Sequence, residues 1–214
     1  VAIFVVLIPA TERSLMERKR EMVHELTVSA WNILASFEQE VQEGRLTRDQ
    51  AQVEAIRQFR NLHYGPHLKD YFWINDLEPR MVVHPYRHDL EGQPLADLRD
   101  PTGKRVFVEF VALARARGEG FVEYRWQWMD DPRRVVPKLS YVKLFEPWGW
   151  IIGTGIYLED VRHDIRQVTH RLAAISSLIL ALITGLVGVI LYHGFRTEKA
   201  RRENRMAAAT LAEL

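Results

Sequence analysis

The sequence predicts an α+β fold in which one antiparallel sheet is covered by a long N-terminal helix. A helical stripe of apolar residues runs from residue 11 to residue 41, which is the first observation behind this prediction. After residue 70 the apolar residues instead recur at every second position, in five segments that are typical of strands. Most of these segments are joined by short turns, and strands connected in this way pair antiparallel.

Two helices are predicted before the first strand. The first covers residues 11–41, and Gly44 is well placed to end it. In "TRDQ", Thr47 and Gln50 have the spacing of a capping box, so a second helix should begin there. The pair Gly65-Pro66 breaks the helical pattern and ends this second helix.

The rest of the domain is predicted as five strands, a loop and one further helix. A long polar loop follows the second strand. The third helix follows this loop and precedes the third strand. The predicted strands are residues 70–76, 80–85, 121–128, 136–145 and 150–157. The loop is 84–103, and the helix lies in the segment 104–120, where Gly118 ends it. The turn before the fourth strand is predicted over residues 130–134.

The last predicted strand, "WIIGTGIY", carries two glycines on one face. Gly153 and Gly155 alternate with larger residues, so one face of the strand is bare at two positions. Because a glycine has no side chain, a helix can lie close to the sheet at these two positions. We therefore predict that the long N-terminal helix packs against this face. The opposite face is then predicted to lie toward a pocket, through Trp150, Ile152, Thr154 and Ile156.

Two segments are predicted to contact a membrane. Residues 172–192 are uncharged, and at roughly 1.5 Å per residue a helix of this length crosses a bilayer core of about 30 Å. Residues 1–10 are interpreted as the end of a first, truncated membrane helix, with a short buried strand as the alternative. Residues 11–171 then form an extracytoplasmic domain, and residues 193–214 begin a charged helix on the cytoplasmic side, as the basic residues after the span favour.

Composition and motifs argue against several function classes. A net charge of +1 gives no reason to expect nucleic acid, and the absence of cysteine excludes cysteine-ligated metal sites. The histidine pairs at a spacing of four are interrupted by proline, so no metal site is expected. "GTG" lacks the longer pattern of a dinucleotide loop, and no nucleophile motif is present. We therefore expect no cofactor, no catalytic residue and no enzymatic activity within this chain.

Lys138 is the residue that most suggests a binding site. A small anion is held by one cation and a few neutral donors between aromatic walls, and the strands are rich in such side chains. The alternation of the fourth strand places Lys138 and Ser140 on one face and Tyr141 on the other. An alternative reading is that Lys138 belongs to an edge strand, where lysine discourages aggregation.

The motifs "DYFWIND", "HPYRHDLEGQ", "EGFVEYRWQW" and "WIIGTGIYLEDV" occur in this order between about residue 20 and residue 165. As a set they resemble the single Cache sensor domains of bacterial chemoreceptors and sensor histidine kinases. The resemblance implies a PAS-like antiparallel sheet of five to six strands with a long N-terminal helix, flanked by transmembrane helices. It also implies that the domain lies outside the cytoplasm.

The same resemblance implies a ligand and the residues that hold it. Members of the family commonly bind small carboxylates such as acetate, propionate, pyruvate or lactate, without a cofactor. The positions that match the family's motifs here are Tyr71, Trp73, His84, Trp126, Lys138 and Tyr141.

The expected role is the input region of a transmembrane receptor in the bacterial inner membrane. The resemblance implies a homodimer with a periplasmic sensor domain, a cytoplasmic C-terminus and an effector in the same polypeptide. A charged helix directly after Tyr192, without a proline-led HAMP-like segment, favours a histidine kinase as that effector. The alternatives are the input region of a chemotaxis receptor and a ligand-free dimerisation spacer.

Overall fold

The computed structural model describes the backbone of residues 2–212 and the side chains of residues 9–10, 12–161, 165, 169–199 and 201. The chain forms two units, Val1–Ile165 and Arg166–Leu214. The first unit contains all seven strands, so the α+β domain predicted from the sequence lies within it.

Four helices and seven strands make up the described chain. The helices are α1 (Ala2–Gln42), α2 (Arg48–Asn61), α3 (Val106–Arg117) and α4 (Leu158–Ala212). The strands are β1 (His63–Tyr64), β2 (Asp70–Tyr71), β3 (Trp73–Asp76), β4 (Met81–Val83), β5 (Glu119–Trp128), β6 (Asp131–Phe145) and β7 (Trp150–Tyr157).

The main sheet has five antiparallel strands in the order β4-β3-β7-β6-β5, which confirms the predicted fold class. A separate pair, β1 and β2, precedes it. Strand β6 begins at Asp131, inside the stretch predicted as a turn, because the turn itself is only Met129 and Asp130. Met129 adopts a φ of 49°, a left-handed conformation that lets the two long strands pair down to this tight reversal.

The two faces of the sheet are covered by different elements. On one face α1 and α2 pack against apolar side chains of alternating sheet positions, among them Phe72, Ile74 and Ile152. On the other face α3 and the loop before it cover Trp73 and Tyr124. Alternation along each strand therefore assigns a residue to one of two separate cores.

The start of α2 follows directly from its sequence. The Thr47 hydroxyl accepts a hydrogen bond from the Gln50 backbone N–H at 3.3 Å, and the Gln50 side chain accepts one from the Thr47 N–H at 2.9 Å. The predicted capping box is confirmed. Before it, Gly44 takes a φ of 71°, which suits the residue that follows a helix end.

The prediction that the glycines of β7 seat α1 is wrong. A Cβ atom on Gly153 would lie 2.5 Å from the Trp73 ring, and one on Gly155 would lie 2.2 Å from the Ser140 hydroxyl. Both residues belong to the face that is covered by α3. The glycines therefore make room for side chains of the neighbouring strands.

The opposite face of β7 was predicted to lie toward the pocket, and this is also wrong. Trp150 and Ile152 are buried in the core that α1 and α2 cover, and Ile156 packs with Val23 of α1. The Thr154 hydroxyl donates to the Tyr71 carbonyl at 2.7 Å. Helix α1 thus rests on large side chains, whose burial stabilises its position.

Among the described residues, one helix is long and apolar enough to cross a membrane. It is the segment Thr169–Lys199, with a mean hydropathy of 2.5. It includes the span predicted over residues 172–192. The first span was predicted over residues 1–10, of which the side chains of 1–8 lie outside the described part, so it stays a prediction.

Candidate functional site

Lys138 lies in the middle of β6 with only 1% of its surface exposed. Its Nζ donates a hydrogen bond to the Tyr71 hydroxyl at 3.0 Å. Three aromatic rings surround the same nitrogen, with centroids at 4.1 Å for Tyr71, 4.9 Å for Tyr157 and 5.2 Å for Trp73. The faces of these rings attract a cation, so the aromatic cluster stabilises the ammonium form in part.

The described part of the chain supplies no carboxylate that forms an ion pair with Lys138. Burial lowers the pKa of Lys138 to about 7, and the more distant charge of Asp70 acts in the opposite direction. Removing an ammonium from water without a counter-ion is unfavourable, which is the physical reason for this shift. The cluster therefore holds a buried amine that a bound anion would stabilise in its charged form.

His84 lies next to this amine, and its tautomer is set by the backbone. Its Nδ1 accepts hydrogen bonds from the backbone N–H groups of Tyr86 and Arg87, both at 3.1 Å. Burial, and then the charge of Lys138, lower the pKa of His84 well below its usual value. The ring is therefore neutral with its proton on Nε2, so Nε2–H is the group through which the ring can donate a hydrogen bond.

Two tryptophans also line the cluster. The Nε1 of Trp73 is buried, and no hydrogen-bond partner for it occurs among the described residues. Trp126 stacks at a tilt on His84, with ring centroids 5.9 Å apart. A buried N–H without an acceptor costs about 1–3 kcal/mol, so a ligand oxygen that reached Trp73 would recover that free energy.

The loop before α3 closes over the cluster and is held by Glu91. One carboxylate oxygen of Glu91 accepts from the His84 backbone N–H at 3.1 Å, and the other pairs with Arg60 of α2 at 2.6 Å. The carboxylate thus joins α2 to the segment that carries His84. This contact fixes the loop that positions the histidine.

The structure brings together five of the six residues predicted for the site. Tyr71, Trp73, His84, Trp126 and Lys138 share contacts on the α3 face of the sheet.

Tyr141 is not part of this cluster. It lies on the other face, where its ring is 4.8 Å from that of His24 in α1 and 4.7 Å from that of Phe121. The reason is strand alternation, because Tyr141 is three positions from Lys138 and so points to the opposite side.

Sequence reasoning missed Tyr157 as a member of the cluster. It lies directly opposite Lys138 in the register of β6 and β7. Its hydroxyl donates to the Gln127 carbonyl at 3.0 Å and accepts from the Met129 N–H at 2.8 Å. Alternation places Tyr157 on the same face of β7 as Gly153 and Gly155. That face was predicted to lie against α1, so Tyr157 was not assigned to the binding site.

Known proteins share this architecture and much of this sequence. The family model of the single Cache domain 2 matches residues 15–171. A solved Cache chemosensory domain, described as recognising carboxylic acids, is 41% identical, covers 68% of this chain and 97% of its own, and has a TM-score of 0.64.

Two curated relatives are signalling proteins of different kinds. The methyl-accepting chemotaxis protein McpP of Pseudomonas putida is 40% identical over 83% of this chain, and the sensor histidine kinase MctS of Rhizobium johnstonii is 34% identical over 70%. The chain spans about a third of the length of each, 32% and 31%. Over residues 15–171 the chain belongs to the single Cache domain 2 family, whose sensor domains occur in chemotaxis receptors and histidine kinases.

Proposed function

We propose that this chain is the input region of a bacterial transmembrane receptor that senses a small organic acid outside the cytoplasm. The ligand class is a carboxylate of two to four carbons, such as acetate, propionate, pyruvate or lactate. The relatives include both effector classes, so the proposal extends to a cytoplasmic histidine kinase or chemotaxis module in the same polypeptide.

The main support for this proposal is that Lys138 is buried and has no carboxylate partner in the described part of the chain. A ligand carboxylate would replace the Tyr71 hydroxyl as the partner of Nζ. It would also accept from the Nε2–H of His84 and from the unpartnered indole of Trp73. Charge-assisted hydrogen bonds of this kind are about twice as strong as neutral ones, so they favour the anion over a neutral analogue.

The proposed signal leaves the site through Tyr157. Its ring lies beside Lys138, and the next residue, Leu158, begins α4. A ligand that binds one arrangement of this strand end more tightly shifts the population toward that arrangement. The proposed receptor is a homodimer in the inner membrane, in which such a shift changes how paired α4 helices meet.

A panel of short acids tests the ligand class. Each acid is titrated by calorimetry into the chain in lipid nanodiscs, with its amide or alcohol analogue as the matched neutral control. We expect saturable binding of one or more acids and binding of the neutral analogues weaker by at least about tenfold. Equal affinity for an acid and its amide would contradict the proposed role of Lys138.

Carboxylate affinity should depend on pH with a midpoint near the pKa of Lys138, about 7. Short carboxylic acids remain ionised above about pH 5, so the ligand does not titrate in this range. Below the midpoint the ammonium is present and affinity is constant, and above it each pH unit should weaken binding about tenfold. Calorimetry at a series of pH values measures the curve.

Asp70 offers a matched variant for the same experiment. Its charge raises the pKa of Lys138, so Asp70→Asn should move the midpoint toward lower pH. Affinity that stays constant through neutral pH, or a midpoint that moves upward in the variant, would count against the assignment.

A further inference from the structure

A cavity of about 550 Å³ lies at the end of the sheet where α4 begins, beyond Tyr157 from Lys138. Its walls come from α1, the loop between β1 and β2, the ends of β5 and β7, and the first turn of α4. This volume is in the range of sites that hold small molecules, about 300–1,000 Å³. The cavity shares Tyr157 with the cluster proposed for the carboxylate, but Lys138 and the other predicted site residues do not line it.

Asp70 is the distinctive polar group of this cavity. Among the described residues, no side chain donates a hydrogen bond to its carboxylate or forms an ion pair with it. Gly65 makes room for the carboxylate, since a Cβ there would lie 2.1 Å from one of its oxygens. Burial is the largest influence on the pKa of Asp70 and raises it, as does the charge of Asp160, whereas the charges of Lys138, Lys19 and His67 lower it. The carboxylate is therefore partly desolvated and, among the described residues, has no hydrogen-bonded or ion-paired side chain.

The remaining lining determines what kind of cation fits. Met22, Ile156 and Val161 form an apolar wall. The lining carries Asp70 and Asp160 against Lys19, so a single added positive charge would balance it. Among the described residues there is no group of three side chains able to hold a metal ion. An ion alone would also leave most of the apolar wall uncovered, whereas an aliphatic amine would cover it.

We propose that this cavity binds an organic ammonium ion with a short aliphatic body, whose charge pairs with Asp70 and whose body packs on Met22 and Ile156. The occupant touches α1 and the first turn of α4 together. It therefore acts on the segment that leads out of the sensor domain, from a position other than that of a carboxylate at Lys138. Its differential affinity for two arrangements of that segment would modulate the response.

Calorimetry with isobutylammonium tests the site, using the chain in nanodiscs and subtracting the signal of empty nanodiscs. Isobutanol has the same shape without the charge, so it should bind at least about tenfold more weakly. Asp70→Asn should weaken the amine by a similar factor. Asp97→Asn is the control, because that side chain is 94% exposed and outside the cavity, and it should change nothing.

A second variant tests the cavity without changing its charge. Met22→Trp should narrow the cavity where the aliphatic body would pack and weaken amine binding, while acetate binding is kept. Val53→Trp, on an exposed position of α2, is its control. Lys138→Met should bind the amine at least as tightly as the native chain, because it removes a positive charge that acts on Asp70. Retained amine binding in this variant separates the site from the proposed sensing function. Absence of saturable amine binding, or binding unaffected by both Asp70→Asn and Met22→Trp, would overturn the proposal.

Discussion

Replacing Lys138 by methionine should make the empty domain more stable and abolish carboxylate binding. Methionine has a similar length and removes the buried charge. Replacing buried charged groups by well-packed apolar ones often stabilises proteins, by up to about 4 kcal/mol. The ligand loses its counter-ion in the same change. We expect an increase in the melting temperature of the ligand-free variant in nanodiscs and no further increase when acid is added.

The stability gain should itself depend on pH. The pKa of Lys138 falls from 10.5 to about 7 on folding, so the folded state binds fewer protons between these values. The native chain therefore gains stability as pH rises from about 7 toward 10.5. The difference in stability between Lys138→Met and the native chain is therefore largest below about pH 7 and disappears near pH 10.5.

Lys69 provides the surface control for this substitution. It is partly exposed and pairs with Asp130 at 2.7 Å, so Lys69→Met should change the free energy of unfolding by no more than about 0.5 kcal/mol. If Lys138→Met were less stable than the native chain, the ammonium would have to be well satisfied without ligand. That outcome would remove the observation on which the proposed function rests.

Replacing Gly155 by alanine should destabilise the domain by about 3 kcal/mol or more, which makes it the second large effect. The new methyl group would lie 2.5 Å from the Leu139 carbonyl oxygen and 2.8 Å from the Ser140 Cα atom. These are backbone atoms of the paired strand β6, which cannot move without breaking the ladder next to Lys138. Thermal unfolding followed by circular dichroism measures the loss.

The matched control for this glycine is Gly185→Ala. No atom outside its own helix backbone lies within 4 Å of the position that a Cβ would take there. Alanine also favours a helix over glycine, so this variant should leave the melting of the sensor domain unchanged. A Gly155→Ala chain as stable as the native one would show that β6 and β7 are further apart than described.

Much of the fold could be predicted because short sequence patterns determine where its helices and strands begin and end. The capping box at Thr47 and the alternation in β3 and β6 each reflect contacts within a few residues. The side on which the glycines of β7 lie was wrongly predicted, since alternation groups Gly153 with Gly155 but does not say which face meets α1. That choice depends on the Trp73 ring, which comes from a strand distant in sequence.

For the site as well, features within one strand could be predicted from the sequence, whereas contacts between strands could not. Alternation alone separates Tyr141 from Lys138, and the structure confirms that separation. The family resemblance assigned both Lys138 and Tyr141 to the binding site because they belong to one continuous sequence motif. The role of Tyr157 follows from the pairing of β6 with β7, which a single sequence does not specify.

The charge state of Lys138 is the central quantity of this account, and it can be measured directly. Carbon-13 labelling of lysine side chains, with Lys138→Met used to assign the signal, gives its pKa by nuclear magnetic resonance with and without acetate or a related acid. We predict a pKa near 7 in the empty domain and a clear increase when a carboxylate is bound. A pKa near 10.5 in the empty domain, or one that no short acid changes, would contradict the account.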